Sequence, residues 1–515
     1  MKKSQITYIK NIILPCLVYS GITGLFTGVL IFLFKLCISK VIPFSAELYA
    51  LVRENVSYLP LLLLGAAALG GISALILRYA PDCKGGGIPT SITLLRGLTS
   101  FSWVKSIFLL FPSALVTYFG AVPLGTEGPA VQMGTAVGRG VIRIFAKHRL
   151  AWDRFVMTGG ASAGFAAATG APVTGIFFAF EEAHRRFTPM LFMTSAVSAI
   201  TSTAVMQYLC PLAGLSPHIF HLEINAVMPL KLLWTAAVIG LVCGFSGAVF
   251  TKIYSLVHSV SENIPMAVKT VAVFVLTALT GHFLPDFIGT GDGLIEKLLE
   301  GHAPWKLLPL LFCLRGIFLI VANNVGITGG LFVPNLCFGA IIGGLCGKFM
   351  LLAGLIAEEY YVVCVVMGIA AFLAASSRTP IMATLFSAEC LSGLGNIIPI
   401  GLCVTISYMT IETLGIHDFT DIVIESKLKK LRKGKKDKVI DCKFTVTEDA
   451  FAVGKEIRDI LWPPTCTVLA VHKKPSTHHH SRTGIAEGDV LTLHYHTYDE
   501  QETYTSIEAI LGKQK

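Results

Sequence analysis

The sequence predicts an all-α polytopic membrane protein with broken helices and an inverted repeat, followed by a small α+β cytoplasmic C-terminal domain. Three observations predict this fold class. The 515 residues are 53% hydrophobic and only 14% charged, whereas soluble domains carry about 25% charged residues. The chain contains 49 glycines, which in an apolar chain favour close helix packing and interrupted helices. From residue 440 onward the pattern changes to short strand-like segments.

Apolar stretches recur along residues 8–425, and several are too short or too rich in Gly and Pro to be simple spans of about 20 residues. They lie near 11–38, 58–78, 104–122, 155–180, 190–208, 230–250, 268–283, 306–322, 331–355, 361–376 and 396–414. The first stretch is too long for a signal peptide and lacks a small-residue cleavage site. We therefore expect a multi-pass integral membrane protein.

The net charge of +9 is concentrated at a few places. Residues 427–438 hold eight Lys or Arg against one Asp, directly after the last apolar stretch, and Lys2-Lys3, Lys147-His148-Arg149 and Arg185-Arg186 add further positive charge. The positive-inside rule then predicts a protein of the cell (plasma) membrane with cytoplasmic N- and C-termini. The basic run favours contact with membrane lipid over nucleic acid, so no nucleic-acid partner is predicted.

Glu127 is the first candidate functional residue. It lies within Gly-Thr-Glu-Gly-Pro-Ala-Val-Gln-Met-Gly at 125–134, and a carboxylate inside a membrane region marks a functional site by default. Pro129 suits the first turn of a helix, which would place Glu127 at a helix N-terminus, where unpaired N–H groups attract anions. A carboxylate that occupies such a site, and leaves it when protonated, would gate the access of anions to that site. The alternative is a carboxylate that only caps the helix.

Two glycine-rich patterns resemble the one around Glu127. Gly85-Gly86-Gly87-Ile88-Pro89 precedes it, and Gly326-Ile327-Thr328-Gly329-Gly330-Leu331-Phe332-Val333-Pro334 lies in the second half of the apolar region. Breaks at related places in two halves predict inverted repeats with the site between them.

Together the three motifs resemble the chloride channel/transporter (CLC) family, whose patterns are Gly-Ser-Gly-Ile-Pro, Gly-Arg/Lys-Glu-Gly-Pro and Gly-x-x-Gly-Gly-x-Phe-x-Pro. The likeness extends over nearly all of 8–425. It implies the CLC architecture over 1–425, a homodimer with one anion pathway in each subunit, and chloride and protons as the transported species. No cofactor is implied, and scattered Ser, His and Asp predict no enzyme.

The resemblance also implies roles for individual residues. Glu127 matches the family's gating glutamate, and Glu182 matches the internal proton-transfer residue of the exchangers, with Glu181 beside it in support. A surface salt-bridge cluster with Arg185 and Arg186 is the alternative for both. The residues implied to line the anion site are Gly86, Gly87, Ile88, Gly128, Pro129, Leu331, Phe332 and Thr420.

Three positions depart from the family pattern. Gly86 stands where a serine hydroxyl often holds the central anion, and Thr420 is the best match to a tyrosine that often gives a second hydroxyl. Thr126 replaces the usual Arg or Lys before the gating glutamate. Gly86 and Thr420 predict a pathway with a looser inner side, with chloride as the default anion, and Thr126 removes a positive charge from the outer approach.

The tail, 440–515, follows a basic linker at 426–439. Strands are predicted at 442–447, 466–473 and 490–498, with a helix near 453–461. The tail resembles the TrkA-C (RCK-C) ligand-binding module through Gly454-Lys455, Pro463-Pro464, 468–473 and 487–491. Such modules dimerise, and some bind small molecules, including cyclic dinucleotides. His478-His479-His480 is interpreted as an exposed loop, because three adjacent histidines do not easily converge on one metal ion.

The sequence therefore predicts a proton-coupled chloride antiporter with a regulatory tail. Two alternatives stay open. One is a passive, ligand-gated anion channel of the same fold, and the other is a ligand-sensing membrane protein without effective transport.

Overall fold

The computed structural model describes residues 9–147, 149–220, 224, 226–261, 264–303, 305–391, 393–432, 434, 436–473 and 484–513. Lys2-Lys3, His148 and the predicted loop at His478-His479-His480 lie outside the described residues.

Seventeen α-helices precede the tail in the described part of the chain. In order they are α1 (Leu14–Glu54), α2 (Leu59–Tyr79), α3 (Ile88–Leu95), α4 (Trp103–Phe119), α5 (Glu127–Phe145), α6 (Asp153–Thr169), α7 (Pro172–Phe178), α8 (Pro189–Leu212), α9 (Leu233–Ser261), α10 (Met266–Phe283), α11 (Asp292–Leu299), α12 (Leu308–Val325), α13 (Phe332–Leu352), α14 (Tyr361–Ser377), α15 (Pro380–Cys390), α16 (Ile397–Thr413) and α17 (Phe419–Arg432).

Many of these helices are long and apolar, and others are short, which confirms the predicted membrane fold with broken helices. Nine helical segments among the described residues are long and apolar enough to cross a membrane. The short helices α3, α7 and α15 each have proline in the first two positions. Proline there needs no N–H partner and so begins a new helix after a break.

The two halves of the membrane region repeat each other. Gly134 of α5 and Gly160 of α6 are in close contact. A Cβ built on Gly134 would lie 2.0 Å from Gly160 O, and one built on Gly160 would lie 2.1 Å from Gly134 O. Gly339 of α13 and Gly368 of α14 make the same reciprocal contact, at 2.4 and 2.3 Å. Gly125 and Gly330, each two residues before the start of α5 or α13, form an antiparallel bridge. An antiparallel pair of equivalent residues is what two inverted repeats require where they meet.

The tail contains a three-stranded antiparallel sheet in the order β1-β3-β2. Its strands, β1 (Lys438–Thr445), β2 (Thr467–His472) and β3 (Val490–Thr497), confirm the three predicted strands. One helix, α18 (Glu500–Leu511), packs Ile507 and Leu511 into the core of the tail.

The prediction of a helix near 453–461 was wrong, because only one 3₁₀ turn, Ile457–Asp459, forms in that segment. Gly454 has a φ of 80°, and its N–H donates to Ile485 O at 2.8 Å, so the backbone pairs with a distant segment. The helix at α18 was missed. Its signal was Asp499, whose side chain accepts from Glu502 N at 3.1 Å and caps the first turn.

The described tail is attached to the membrane region by several contacts. α17 continues to Arg432 and β1 begins at Lys438, so the predicted linker, 426–439, is partly helical and partly strand. Phe451 packs against Trp152 and Phe155, with ring centroids 5.6 and 6.0 Å apart. The domain boundaries at 425 and 440 stay a prediction.

Candidate functional site

The three glycine-rich motifs meet through their backbones. Gly85 N donates to Gly326 O at 3.0 Å, and Gly329 N donates to Gly85 O at 3.4 Å. Gly125 and Gly330 exchange two hydrogen bonds, of 2.7 and 2.6 Å. Segments that lie far apart in the sequence are thus joined into one layer of backbone.

Glycine is required where these motifs touch. A Cβ on Gly128 would lie 1.8 Å from Gly86 O, and one on Gly87 would lie 2.1 Å from Gly128 O. Gly87 also has a φ of 75°, which favours glycine. The starts of α3 and α5 can therefore approach to backbone contact, and no larger residue would allow it.

Three helix N-termini converge at this layer: α3 at Ile88, α5 at Glu127 and α13 at Phe332. The bonds Ala130 N to Thr126 O and Asn335 N to Leu331 O are each made at the fourth position of a helix. Amides ahead of that position have no partner inside their helix and carry the positive end of its dipole. This arrangement attracts anions without a full positive charge.

The structure brings together the predicted lining residues of the three motifs. Phe332 is buried and packs edge-on against Phe165 and Phe386, at centroid distances of 5.0 and 5.1 Å. The residues that lie at or next to the three converging helix starts are Gly86, Gly87, Ile88, Gly128, Pro129, Leu331 and Phe332.

Glu127 is the first residue of α5 and is fully buried. Its Oε1 accepts a hydrogen bond from Thr126 Oγ1 at 2.8 Å, and its Oε2 has no hydrogen-bond partner among the described residues. A Cβ built on Gly125 would lie 2.7 Å from Oε2 and 3.1 Å from Pro334 Cδ. The carboxylate therefore folds back from α5 and lies beside the first turn of α13, within the cluster of helix starts.

Two half-buried charged residues lie near Glu127, and neither was predicted from the sequence. Lys35 belongs to α1 and Asp292 to α11. Asp292 Oδ2 accepts from Thr290 Oγ1 at 2.7 Å. Lys35 carried a signal, because a lysine inside an apolar stretch is itself a functional candidate.

Glu182 is buried in a single π-helical turn, Ala179–Ala183, at the end of α7. Arg96 binds the backbone of this turn, donating to Glu182 O at 3.1 Å and to Ala183 O at 2.8 Å. Arg185 forms ion pairs with Asp418 and Asp421 at 2.7 Å each. The alternative prediction paired Arg185 and Arg186 with Glu181 and Glu182, whereas Arg185 pairs here with two aspartates of a later segment.

Glu181 points into a different contact. Its Oε1 accepts from Ile381 N at 2.8 Å and its Oε2 from Met382 N at 2.6 Å, so it caps the start of α15. A cleft of about 700 Å³ opens beside this turn, with Glu181, Arg185 and Asp418 among its lining residues. The cleft therefore borders the residues on either side of Glu182.

Thr420 is buried in the first turn of α17, and its N–H donates to Asp418 Oδ1 at 3.1 Å. The adjacent Phe419 packs edge-on against Tyr254 of α9, at a centroid distance of 4.3 Å. Tyr254 in turn donates to Asn323 Oδ1 of α12 at 3.0 Å. No motif marked Tyr254 or Asn323, because only the packing of α9, α12 and α17 brings them together.

A model of the family described as voltage gated chloride channel matches residues 65–412. The crystal structure of a slow cyanobacterial Cl⁻/H⁺ antiporter matches with a TM-score of 0.74 at 24% identity, covering 81% of this chain and 98% of that one.

Two other solved structures share the fold. A eukaryotic CLC transporter matches with a TM-score of 0.67 at 18% identity, over 81% of this chain and 74% of that one. A CLC-type fluoride/proton antiporter matches with a TM-score of 0.66 at 18% identity, over 80% of this chain and 98% of that one.

Proposed function

Because the chain belongs to the voltage-gated chloride channel (CLC) family, we propose that it is a proton-coupled chloride antiporter. Glu127 is its external gate and Glu182 its internal proton-transfer residue. One observation carries the proposal. A buried carboxylate with an unpaired oxygen lies among three converging helix N-termini, where an anion would otherwise bind.

The anion step follows from competition for one place. Ionised Glu127 occupies the positive ends of the helices, and protonated Glu127 has lost the charge that holds it there. Chloride then takes the vacated position and binds through backbone N–H groups. Such binding is weak enough to release the ion again.

The proton step uses the same residue. When Glu127 takes up a proton and leaves, a proton enters the pathway as an anion passes, which links the two fluxes. Glu182 is the second protonatable group, buried beside Asp418 and close to the cleft that Glu181 and Arg185 line. Glu181 supports this turn by capping α15 and need not carry protons.

The similar structures support exchange as the activity. Two of the three are described as antiporters, one of chloride and one of fluoride. We take chloride as the anion here. We place the protein in the plasma membrane with both termini on the cytoplasmic side. The basic last turn of α17, with Lys429, Lys430 and Arg432, supports this orientation.

Further parts of the proposal concern assembly and regulation. We propose a homodimer with one pathway in each subunit. The tail acts as a TrkA-C-like regulatory module for a small molecule such as a cyclic dinucleotide.

Transport by the purified protein in proteoliposomes tests the proposal. A chloride gradient should drive protons uphill, and Glu127→Gln and Glu182→Gln should each abolish proton flux while leaving anion flux. Glu425→Gln, a change at an exposed residue of α17, serves as the control. Strong chloride flux without proton movement in the unaltered protein would contradict exchange.

That contrary result would favour the second candidate, a passive anion channel opened by a ligand of the tail. The observation behind it is Arg154, which donates from Nε to Leu95 O in α3 at 2.7 Å and from Nη1 to Trp462 O in the tail at 2.9 Å. A ligand that moved the tail would act on α3 through this residue.

A further inference from the structure

We propose that the side-chain amide of Asn323 is a direct ligand of the transported anion and replaces the hydroxyl that is absent at Gly86. The inference rests on the proposed function, because it names a ligand within the same anion pathway.

Asn323 carries an unused hydrogen-bond donor in a buried place. The residue lies in the last turn of α12 and is 6% exposed. Its Nδ2 has no hydrogen-bond partner among the described residues. Buried polar groups are nearly always paired, so an unpaired amide in a pathway indicates a ligand that binds there.

The amide is aimed at the cluster of helix starts. A Cβ built on Gly86 would lie 3.3 Å from Asn323 Nδ2, and Gly86 comes two residues before α3 begins. The end of α12 is also tied to this motif, since Gly326 N donates to Asn323 O at 2.9 Å and Gly326 O accepts from Gly85 N at 3.0 Å. Asn323 Nδ2 therefore faces Gly86, directly before the start of α3.

Tyr254 sets the orientation of the amide. Its hydroxyl donates to Asn323 Oδ1 at 3.0 Å, so the oxygen is engaged and the NH₂ group is the one that faces Gly86. Tyr254 is 2% exposed, and Phe419 packs edge-on against its ring. Tyr254 of α9 and Phe419 of α17 thus hold in place the amide donor of Asn323, which belongs to α12.

An amide donor suits an anion pathway for the same reason as a hydroxyl. It is neutral, so it stabilises a partly dehydrated anion without holding it as tightly as Lys or Arg would. Gly86 contributes no side chain, and a serine there would occupy the space that Asn323 Nδ2 borders. The hydroxyl donor is absent at Gly86, and the amide donor of Asn323 lies at the same position.

Chloride binding to the purified full-length protein, measured by titration calorimetry, tests the inference. Asn323→Leu keeps the approximate volume and removes the donor, and we expect chloride affinity to fall about tenfold, as for loss of one hydrogen bond to a charged ligand. Asn324→Leu is the matched control. That neighbouring amide donates to Ile320 O at 2.9 Å within α12, and its loss should leave chloride affinity unchanged.

Two further variants separate a ligand from a structural role. Gly86→Ser in the Asn323→Leu background should restore chloride affinity, because it supplies a hydroxyl at the same place. Tyr254→Phe leaves the amide in place but frees its orientation, and we expect a smaller loss, of about threefold. Because Tyr254→Phe is a mild change, it provides a result even where Asn323→Leu disturbs folding.

The outcomes are distinguishable. Normal chloride affinity in both Asn323→Leu and Tyr254→Phe, beside an unaltered protein that binds chloride, overturns the role of Asn323 and leaves the proposed function standing. An unaltered protein that neither binds nor transports chloride overturns the proposed function itself.

Discussion

Glu181 and Glu389 are two carboxylates of an apolar chain that the structure uses to hold helices together. Glu181, just after α7, accepts from Ile381 N and Met382 N of α15. Glu389, near the end of α15, accepts from Val173 N at 2.8 Å and Thr174 N at 2.7 Å of α7. Each repeat therefore caps the helix start of the other. Among the described residues, the carboxylate of the neighbouring Glu182 caps no helix start, and our proposal uses it for proton transfer.

We expect Glu181→Gln and Glu389→Gln to destabilise the protein by similar amounts. Each change replaces a charged acceptor of two N–H groups with a neutral one, which costs about 1–2 kcal/mol. Thermal unfolding in detergent measures the effect, with Glu425→Gln as the control. Proton coupling of Glu181→Gln should persist, and loss of coupling without loss of stability would assign Glu181 to the proton route.

Helix crossings in the membrane region depend on glycine at the points of contact. Gly134 and Gly160 bring α5 and α6 together, and Gly339 and Gly368 do the same for α13 and α14. In lipid, helix association relies on close packing more than on hydrophobic burial, so small residues at the crossing matter most. These crossings hold α5 and α13 in position, and with them the helix starts of the proposed anion site.

Gly134→Ala should destabilise the protein strongly, because its Cβ would lie 2.0 Å from Gly160 O, which is backbone and cannot rotate away. We expect a loss of at least about 3 kcal/mol in unfolding free energy, at the upper end for overpacking. Gly71→Ala is the control, since nothing lies within 4 Å of a Cβ there. That change should be neutral or stabilising by up to about 1 kcal/mol. Equal melting temperatures for the two variants would contradict this account of the crossing.

At the scale of the whole molecule, Arg154 of α6 links the tail to α3, the helix whose start forms part of the proposed site. Arg154 donates to Leu461 O and Trp462 O of the tail and also to Leu95 O, the last residue of α3. Arg186 adds a bond to Ile460 O at 3.2 Å. α3 starts at Ile88, next to Gly86 and Gly87, so Arg154 and this short helix connect the tail to the proposed anion pathway.

We expect Arg154→Met to loosen the tail, because three carbonyl groups lose their shared donor. Limited proteolysis should then cut the region around 433–437 faster, and the ratio of proton to chloride flux should change as α3 loses its anchor. Arg149→Met, at an exposed arginine nearby, is the control. Unchanged proteolysis and unchanged fluxes would show that these contacts neither hold the tail nor reach the site.

The sequence by itself determined the membrane class, the three glycine motifs, the repeat and the strands of the tail. These follow from composition, period and residue type, which are local properties of a chain. The positions that require glycine could also be predicted from the sequence, because only glycine permits a helix start to contact another backbone. The false helix near 453–461 shows the limit of local reading, since Gly454 pairs with Ile485, far along the chain.

Only the tertiary structure shows which side chains of other helices lie beside the glycine-rich motifs. Lys35 of α1 and Asp292 of α11 lie near Glu127, and Tyr254 of α9 donates a hydrogen bond to Asn323, whose amide nitrogen faces Gly86. Sequence neighbours give no sign of these pairings, because each depends on how helices from distant parts of the chain pack. The physical reason is general: a motif fixes the backbone of its own segment, whereas the polarity around an ion pathway is set by every helix that borders it.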